Sequence, residues 1–117
     1  MDKQQLADYA LAKEGAYLDF PFAGEEYAVV KVKKQDGGKS RIFAELFTLN
    51  GADMLTFSTD EETALFLRDN FMGIVVRGWH CPPAQAKYKS SVAIDAVDDE
   101  VLIQFIDTSY NRALSKL

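Results

Sequence analysis

Residues 27–57, YAVVKVKKQDGGKSRIFAELFTLNGADMLTF, predict three consecutive antiparallel strands and thereby decide the fold. Apolar residues alternate with polar ones over Tyr27–Lys33, Arg41–Leu49 and Met54–Phe57, as in strands with one buried face. Between them, Asp36-Gly37-Gly38 and Asn50-Gly51 supply the positive φ angles that tight hairpin turns need. The alternation places Ile42, Ala44 and Leu46 on one face of the second strand and Phe43, Glu45 and Phe47 on the other. The stretch therefore predicts a meander with an apolar face and a mixed face.

Three amphipathic helices are predicted around this meander. Asp2 caps the first, with Gln5 as its capping-box partner, and Gly15 is a natural stop. Thr59 caps the second, which runs to about Asn70 with Leu65 and Phe66 facing inward. Asp98 caps the third, and the inner stripe of that helix comprises Val101, Leu102, Phe105, Ile106, Ser109, Ala113 and Leu117.

Residues 74–94, IVVRGWHCPPAQAKYKSSVAI, complete the fold with two more strands and the loop between them. This loop gathers the only Trp, His and Cys of the chain, so it is the first place to look for a site. Residues 16–26 are predicted to be a connector that Phe20 and Phe22 anchor to the core. The resulting order is αβββαββα, an α+β domain with helices packed on one face of an antiparallel sheet.

The composition predicts one globular domain, residues 1–117, in a reducing compartment. The chain is long enough for one core but not for two, and no apolar run approaches the ~20 residues of a membrane span. The N-terminus lacks the apolar segment of a signal peptide. The lack of an apolar run of that length predicts no membrane partner, and the single Cys, which forms no internal disulfide, favours a cytoplasmic protein. The net charge of −5 lowers the expectation of duplex binding, because phosphate neutralisation supplies most of the affinity of such proteins.

His80 and Cys81 are the candidates for a nucleophilic or metal site, and their arrangement argues against both. Side chains of neighbours in an extended segment point apart, and no second His is present to complete a metal cluster. The residues 36–40 lack the spacing of a phosphate loop, and the acids 98–100 suit a helix N-terminus. We therefore expect no enzyme, no cofactor and no metal site.

Basic residues cluster on the two predicted hairpins, with aromatic residues between them. Lys31 and Lys33 share a strand face, and so do Lys87 and Lys89. Such a surface could grip a phosphate backbone and stack on bases. The candidate binding residues are Lys31, Lys33, Arg77, Trp79, His80, Lys87 and Lys89. The same loop and sheet face could instead bind a protein partner, the lysines could be solubilising charge, and Trp79 could close the edge of the core.

Five short motifs, in this order and spacing, resemble those of a known family. They are Lys13-Glu14-Gly15-Ala16, Asp19-Phe20-Pro21-Phe22, Arg41-Ile42-Phe43-Ala44, Leu65-Phe66-Leu67-Arg68 and Ile106-Asp107-Thr108-Ser109-Tyr110. On these motifs the chain is similar to the MmcQ/YjbR family of small bacterial proteins. The resemblance implies a frataxin-like (CyaY-like) fold, no cofactor, no known enzymatic activity, and weak DNA binding in a double-wing arrangement. A third hypothesis, frataxin-like metal binding, would use Asp2, Asp8 and Glu14.

The loop departs from the pattern of that family. His80 stands where the family has a His, but residues 81–86 replace an Asn-Lys stretch. Lys89 occupies the place of a Trp that enters the next strand, while Trp79 precedes His80. The third strand ends in Thr56-Phe57-Ser58 where the family usually has a Lys.

Overall fold

The structure, a computed structural model, describes residues 1–19 and 27–117. Within these residues it is an α+β fold with a six-stranded antiparallel sheet of strand order β1-β2-β3-β4-β6-β5, and the predicted fold class is confirmed. The elements are α1 (Lys3–Leu11), β1 (Ala16–Asp19), β2 (Tyr27–Lys33), β3 (Ser40–Leu49), β4 (Ala52–Ser58), α2 (Glu61–Asn70), β5 (Val75–Arg77), β6 (Lys89–Ala93) and α3 (Asp99–Ser115). A 3₁₀ turn, Pro83–Gln85, lies in the loop between β5 and β6. None of the helices in the described residues has the length and apolarity to cross a membrane.

The start of the predicted connector is an edge strand, which the sequence analysis missed. β1 pairs antiparallel with β2, so the element order is αββββαββα. Four residues are too few to show a periodic pattern of their own, and the pairing with β2 holds them extended. Gly15 makes this possible because it has a φ of +78° and an added Cβ would lie 2.5 Å from the carbonyl oxygen of Lys33. The predicted anchors Phe20 and Phe22 lie outside the described residues.

The core lies between one face of the sheet and the helices α1 and α3. Phe57 of β4 and Phe105 of α3 stack at its centre, with ring centroids 4.2 Å apart. The predicted inner stripe of α3 is largely confirmed, because most of its residues are buried. Other members of this core include Leu6 and Ala10 from α1 and Val30, Val32, Leu46, Leu55, Val75 and Val92 from the sheet.

A register shift in β3 turns Phe43 and Ile42 to the faces opposite those predicted. Val30 pairs with Ala44 and Lys31 pairs with Ile42, which leaves Phe43 as an extra residue on β3. Phe43 therefore joins the core under α3, where its ring meets that of Tyr110 edge-on at 5.2 Å. The prediction that Phe43 shares a face with Glu45 and Phe47 was wrong, and so was the prediction that Ile42 shares a face with Ala44 and Leu46. Strict alternation takes no account of a bulge.

Two of the three predicted helix starts are confirmed. The carboxylate of Asp2 accepts the backbone N–H of Gln5, and the side chain of Gln5 accepts that of Asp2, which completes the capping box. Asp98 occupies the N-cap position of α3, but its side chain makes no capping hydrogen bond. In α2 the cap is Asp60 and not Thr59. The backbone N–H and the hydroxyl of Thr63 donate to the Asp60 carboxylate and hold its pKa below the usual range.

The orientation of α2 also differs from the prediction. Leu65 and Phe66, predicted to face inward, are 53% and 59% exposed. The buried residue of α2 is Ala64, with Leu67 partly buried against the core. α2 packs on β5 and β6 at the edge of the sheet, so only a narrow stripe of the helix is covered.

Candidate functional site

Trp79 holds the loop between β5 and β6 on the sheet face opposite the core. Its backbone N–H donates to Ser91 Oγ at 3.0 Å. Its ring stacks on Phe47 at 4.9 Å and lies 6.5 Å from Tyr27. Trp79 is half-buried in this aromatic cluster, as a residue that closes the edge of the packed interior would be. Trp79 therefore positions the loop, and one face of its ring is covered by Phe47.

Lys89 is committed to a carboxylate beneath the same loop. Its ammonium lies 3.4 Å from Glu45 Oε2, and the two side chains are only 15% and 13% exposed. The hydroxyl of Tyr27 donates to Glu45 Oε1 at 2.6 Å. Burial, together with the hydrogen bond and charge of Glu45, raises the pKa of Tyr27. The positive charge of Lys89 is therefore largely used inside the protein.

Arg68 of α2 clamps the other end of the loop, a role that the sequence analysis did not assign. Its guanidinium donates to the carbonyl oxygens of Ala86, at 2.6 Å, and Lys89. Its Nε donates to Ser90 Oγ at 3.3 Å. Burial lowers the pKa of Arg68. The signal was present in the Leu65–Arg68 motif, which ends on this residue.

The remaining predicted loop residues are exposed. The Arg77 guanidinium lies 3.4 Å from the carbonyl oxygen of Cys81, and the ammonium of Lys87 lies 5.5 Å from the centre of the Tyr88 ring. His80 has a φ of +53° and meets the Trp79 ring edge-on at 4.1 Å. Lys87 lies in a turn before β6, so the prediction that it shares a strand face with Lys89 was wrong.

Lys31 and Lys33 lie on the strand next to β1, where each has a partner. Lys31 forms a 2.8 Å ion pair with Asp19, and the ammonium of Lys33 lies 5.2 Å above the ring centre of Tyr17. Tyr17 and Asp19 are two residues apart and lie on one face of β1. Lys33 and Lys31, which contact them, lie on one face of β2 as predicted. The structure does not gather all seven predicted residues into one site.

A cleft of about 560 Å³ opens beside β3, where the sheet splits. β3 pairs with β4 only from Glu45 to Leu49, whereas the end of β4 pairs with β6. The first half of β3 therefore has no β4 partner, and the gap is bounded by the loop before β6 and the end of α3. Its basic lining residues are Lys31, Arg41, Lys89, Arg112 and Lys116, and no acidic residue lines it among the described residues.

Two of these basic side chains have no polar side-chain partner among the described residues, and a third, that of Arg112, lies against an aromatic ring. Within residues 1–19 and 27–117, Arg41 and Lys116 make no side-chain hydrogen bond or ion pair. The guanidinium of Arg112 lies 4.6 Å above the Tyr88 ring. Sequence reasoning missed Arg112 and Lys116 because α3 meets β3 only in the folded chain. Their i, i+4 spacing at the C-terminal end of α3 was the one available signal.

Comparison with known proteins identifies the family. A sequence profile described as YjbR matches residues 11–112. The chain belongs to the YjbR family. Its fold is similar to that of Deinococcus radiodurans protein DR2400, a DUF419 structure, with a TM-score of 0.77 and 25% identity over 92% of this chain and 74% of that one. A Pseudomonas syringae protein shares the fold with a TM-score of 0.75 and 20% identity over 97% of this chain and 99% of that one. The curated proteins contain no match.

Several residues of the motifs that carried the YjbR resemblance form contacts within the protein. The Lys13 ammonium lies 2.7 Å from the Asp107 carboxylate, and the Tyr110 hydroxyl donates to the Glu14 carbonyl oxygen at 2.6 Å. The Ser109 hydroxyl donates to the Phe43 carbonyl oxygen at 2.6 Å. These contacts join the region after α1, and β3, to α3. These motif residues therefore stabilise the fold, and their contacts do not specify a ligand.

The three acids of the metal-binding hypothesis have separate environments. Asp2 caps α1, and Asp8 accepts a hydrogen bond from Gln4 at 2.9 Å. Glu14 lies beyond the helix, in the segment that Tyr110 contacts. In the part of the chain that the structure describes, no group of three His, Cys, Asp or Glu side chains is placed to hold a metal ion.

Proposed function

We propose that this YjbR-family chain is a non-enzymatic nucleic-acid-binding domain that contacts phosphates in the cleft beside β3. The observation that carries the proposal is the lining of that cleft, which includes five basic residues and, within the described residues, no acidic one. The whole chain has a net charge of −5. A local concentration of positive charge in an acidic protein favours a specific anionic ligand over general solubility.

Arg41, Arg112 and Lys116 would make the phosphate contacts. A guanidinium can donate two parallel hydrogen bonds to a phosphate, and an ammonium adds a mobile point charge. Lys31 and Lys89 are already paired with Asp19 and Glu45. They form part of the walls of the cleft and contribute less positive charge to ligand binding.

The loop before β6 extends this surface. Gln85 and Tyr88 line the cleft, and Lys87 between them is exposed. A nucleic-acid backbone that extends beyond the cleft would therefore contact Lys87. Both Lys87 and Arg112 lie over the Tyr88 ring, so base stacking on Tyr88 would require one of them to move.

The same features predict weak binding with little sequence preference. Contacts to phosphates set position but carry no direct sequence information. The overall negative charge of the chain opposes the approach of a polyanion. Two side chains support the proposal that the domain is non-enzymatic. The ring of His80, the only histidine, contacts the ring of Trp79. The Sγ of Cys81 donates to the Gly78 carbonyl oxygen at 3.2 Å.

The test is fluorescence anisotropy with a labelled oligonucleotide, single- and double-stranded, at about 50 mM and about 200 mM salt. The cleft variants are Arg41→Gln and Lys116→Gln. The matched control, Lys3→Gln, removes one positive charge near Thr48 and Asp53, at the opposite end of β3. We expect salt-sensitive binding by the wild type, and a loss of several-fold with a salt slope smaller by about 1 in each cleft variant.

Two outcomes would overturn the proposal. One is the absence of wild-type binding to both oligonucleotides at low salt. The other is an equal loss of affinity in Lys3→Gln and the cleft variants, which would reflect net charge alone. The second hypothesis, a protein partner on the same loop and sheet face, has less support because Trp79 and Phe47 fill that face.

A further inference from the structure

The cleft beside β3 has lining residues from both faces of the sheet. Arg41 pairs with Val32, a core residue, so its side chain lies on the face that packs against α3. Ile42 pairs with Lys31, which lies between two core residues of β2 and therefore points to the opposite face. Arg41, Ile42 and Lys31 all line the cleft. A ligand that fills the cleft therefore lies between elements of the sheet and not on top of the sheet.

The cleft is too small to enclose a double helix. Its volume of about 560 Å³ is within the range of small-ligand sites, about 300–1,000 Å³. This volume is that of a cube about 8 Å on each side, whereas the major groove alone of a duplex is about 12 Å wide. Proteins that read a duplex insert a helix or a β-ribbon into that groove, but the basic residues here line a recess. The shape therefore favours a ligand with the width of a single strand.

Hydrogen bonds from α2 and the residue before its N-cap fix one wall of the cleft, the loop before β6. The guanidinium of Arg68 donates to the carbonyl oxygens of Ala86, at 2.6 Å, and Lys89. The N–H of Thr59, just before α2, donates to the carbonyl oxygen of Tyr88 at 2.9 Å. The loop is thus bonded at two points along α2. A wider ligand would have to break these hydrogen bonds to enter.

Uncharged residues among the cations fit the bases of an unpaired strand. Ile42, Ala84, Ala113 and Tyr88 line the cleft together with its basic residues. Bases in a duplex are stacked on their neighbours, whereas the bases of a single strand can stack on aromatic side chains. Proteins that bind single strands combine a basic groove with such an aromatic platform. The lining therefore suits both parts of an unpaired nucleotide, the phosphate and the base.

We infer, on the basis of the function proposed above, that the ligand of this cleft is a single strand of DNA or RNA and not a duplex. A duplex carries about one negative charge per 1.7 Å, and a single strand about one per 3.4 Å. The net charge of −5 on the chain therefore opposes a duplex more strongly. Phosphates of the strand contact Arg41 and Lys116, and a base stacks on Tyr88.

Tyr88 becomes available to a base when Lys87 moves. The ammonium of Lys87 lies 5.5 Å from the centre of the Tyr88 ring, and Lys87 is exposed. An exposed ammonium over a ring contributes less than a stacked base, so the base displaces it. The displaced ammonium can then contact a phosphate of the same strand.

The test is fluorescence anisotropy at about 50 mM salt with three labelled oligonucleotides of one sequence, each about 12 nucleotides long. They are a DNA strand, an RNA strand and the DNA duplex. We expect the wild type to bind at least one of the single strands about tenfold more tightly than the duplex. Comparison of the two single strands then identifies the nucleic acid.

Tyr88→Ala should weaken binding of the preferred strand about fivefold or more, because the stacking ring is lost. Tyr88→Phe keeps the ring and should bind like the wild type. The matched control is Tyr17→Ala, because Tyr17 lies on β1, outside the lining of the cleft, and also has a lysine, Lys33, 5.2 Å from its ring centre. This control should bind like the wild type.

Circular dichroism and a thermal melt establish that each variant is folded. If Tyr88→Ala unfolds, Tyr88→Leu replaces it, since it keeps apolar bulk without a ring. No binding to any of the three oligonucleotides would refute the proposed function and the single-strand preference together. Duplex binding as tight as single-strand binding, but weakened in Arg41→Gln, would retain the proposed function and refute the preference. So would single-strand affinities that are equal in Tyr88→Ala and Tyr17→Ala.

Discussion

The ammonium group of Lys13 lies 2.7 Å from the carboxylate of Asp107, which ties the segment after α1 to the middle of α3. The Tyr9 hydroxyl donates to the same carboxylate at 2.6 Å. The Lys13 ammonium also lies over the rings of Tyr9 and Tyr110, 5.0 Å and 5.2 Å from their centres. Burial alone would raise the pKa of Asp107, but the hydrogen bonds from Lys13 and Tyr9 outweigh it and lower that pKa.

This pair predicts a loss of stability in acid. Because the pKa of Asp107 is lower in the folded chain, its contribution is present above the unfolded value of about 3.9 and is lost as pH falls through the folded value. Asp107→Asn should lower the free energy of unfolding at pH 7 by about 1 kcal/mol, a modest amount because the carboxylate is partly exposed. The measurement is urea unfolding from about pH 7 to about pH 2.5.

The wild type and Asp107→Asn should converge in stability at the acid end of this range. Asp69→Asn, an exposed position on α2, is the control and should differ little from wild type throughout. A deficit in Asp107→Asn that is the same at every pH would show that the ionisation of Asp107 contributes nothing.

Ser109→Ala should destabilise the chain by about 2–3 kcal/mol, because it leaves two backbone groups without a partner. The Ser109 hydroxyl is fully buried, donates to the Phe43 carbonyl oxygen and accepts the Ser58 N–H at 2.8 Å. Ser115→Ala on the same helix is the control, since its hydroxyl bonds only the exposed carbonyl oxygen of Arg112. Equal thermal melts for the two variants would contradict this assignment.

Gly15→Ala should cost more stability than Gly37→Ala, although both glycines have positive φ angles, +78° and +73°. A Cβ on Gly15 would meet the Lys33 carbonyl oxygen at 2.5 Å, whereas one on Gly37 would meet nothing within 4 Å. We expect about 1 kcal/mol of backbone strain at Gly37 and at least twice that at Gly15. Denaturant unfolding measures both, and a smaller loss at Gly15 would mean that β1 and β2 separate easily.

Lys89→Glu and Lys87→Glu should separate stability from binding. Lys89→Glu places a second carboxylate beside that of Glu45, where both side chains are largely buried. It should lower the free energy of unfolding by about 2 kcal/mol or more. Lys87 is exposed, so Lys87→Glu should change stability by less than about 0.5 kcal/mol. Its effect should appear as weaker oligonucleotide binding. A stable Lys89→Glu variant that loses binding would return Lys89 to the ligand site.

Local sequence patterns predicted the features that depend on neighbouring residues. The capping box of Asp2 and Gln5 forms as predicted, and Asn50-Gly51 turns with φ angles of +51° and +82°. The predictions were wrong where contacts between residues distant in sequence determine the local structure. Phe43 changes face at a register shift set by β2, and β1 is a strand because β2 lies beside it.

By itself, the sequence determined the α+β class, the meander, the α1 and α3 caps and the YjbR family, because alternation, turn residues and capping are properties of short segments. Only the tertiary structure decided which charges are available. It placed Glu45 against Lys89 and Asp19 against Lys31, and it left Arg41, Arg112 and Lys116 facing one cleft. The physical reason is that β4 pairs with β3 only along Glu45–Leu49, while β6 pairs with the other edge of β4. This pairing brings together side chains that no sequence window contains.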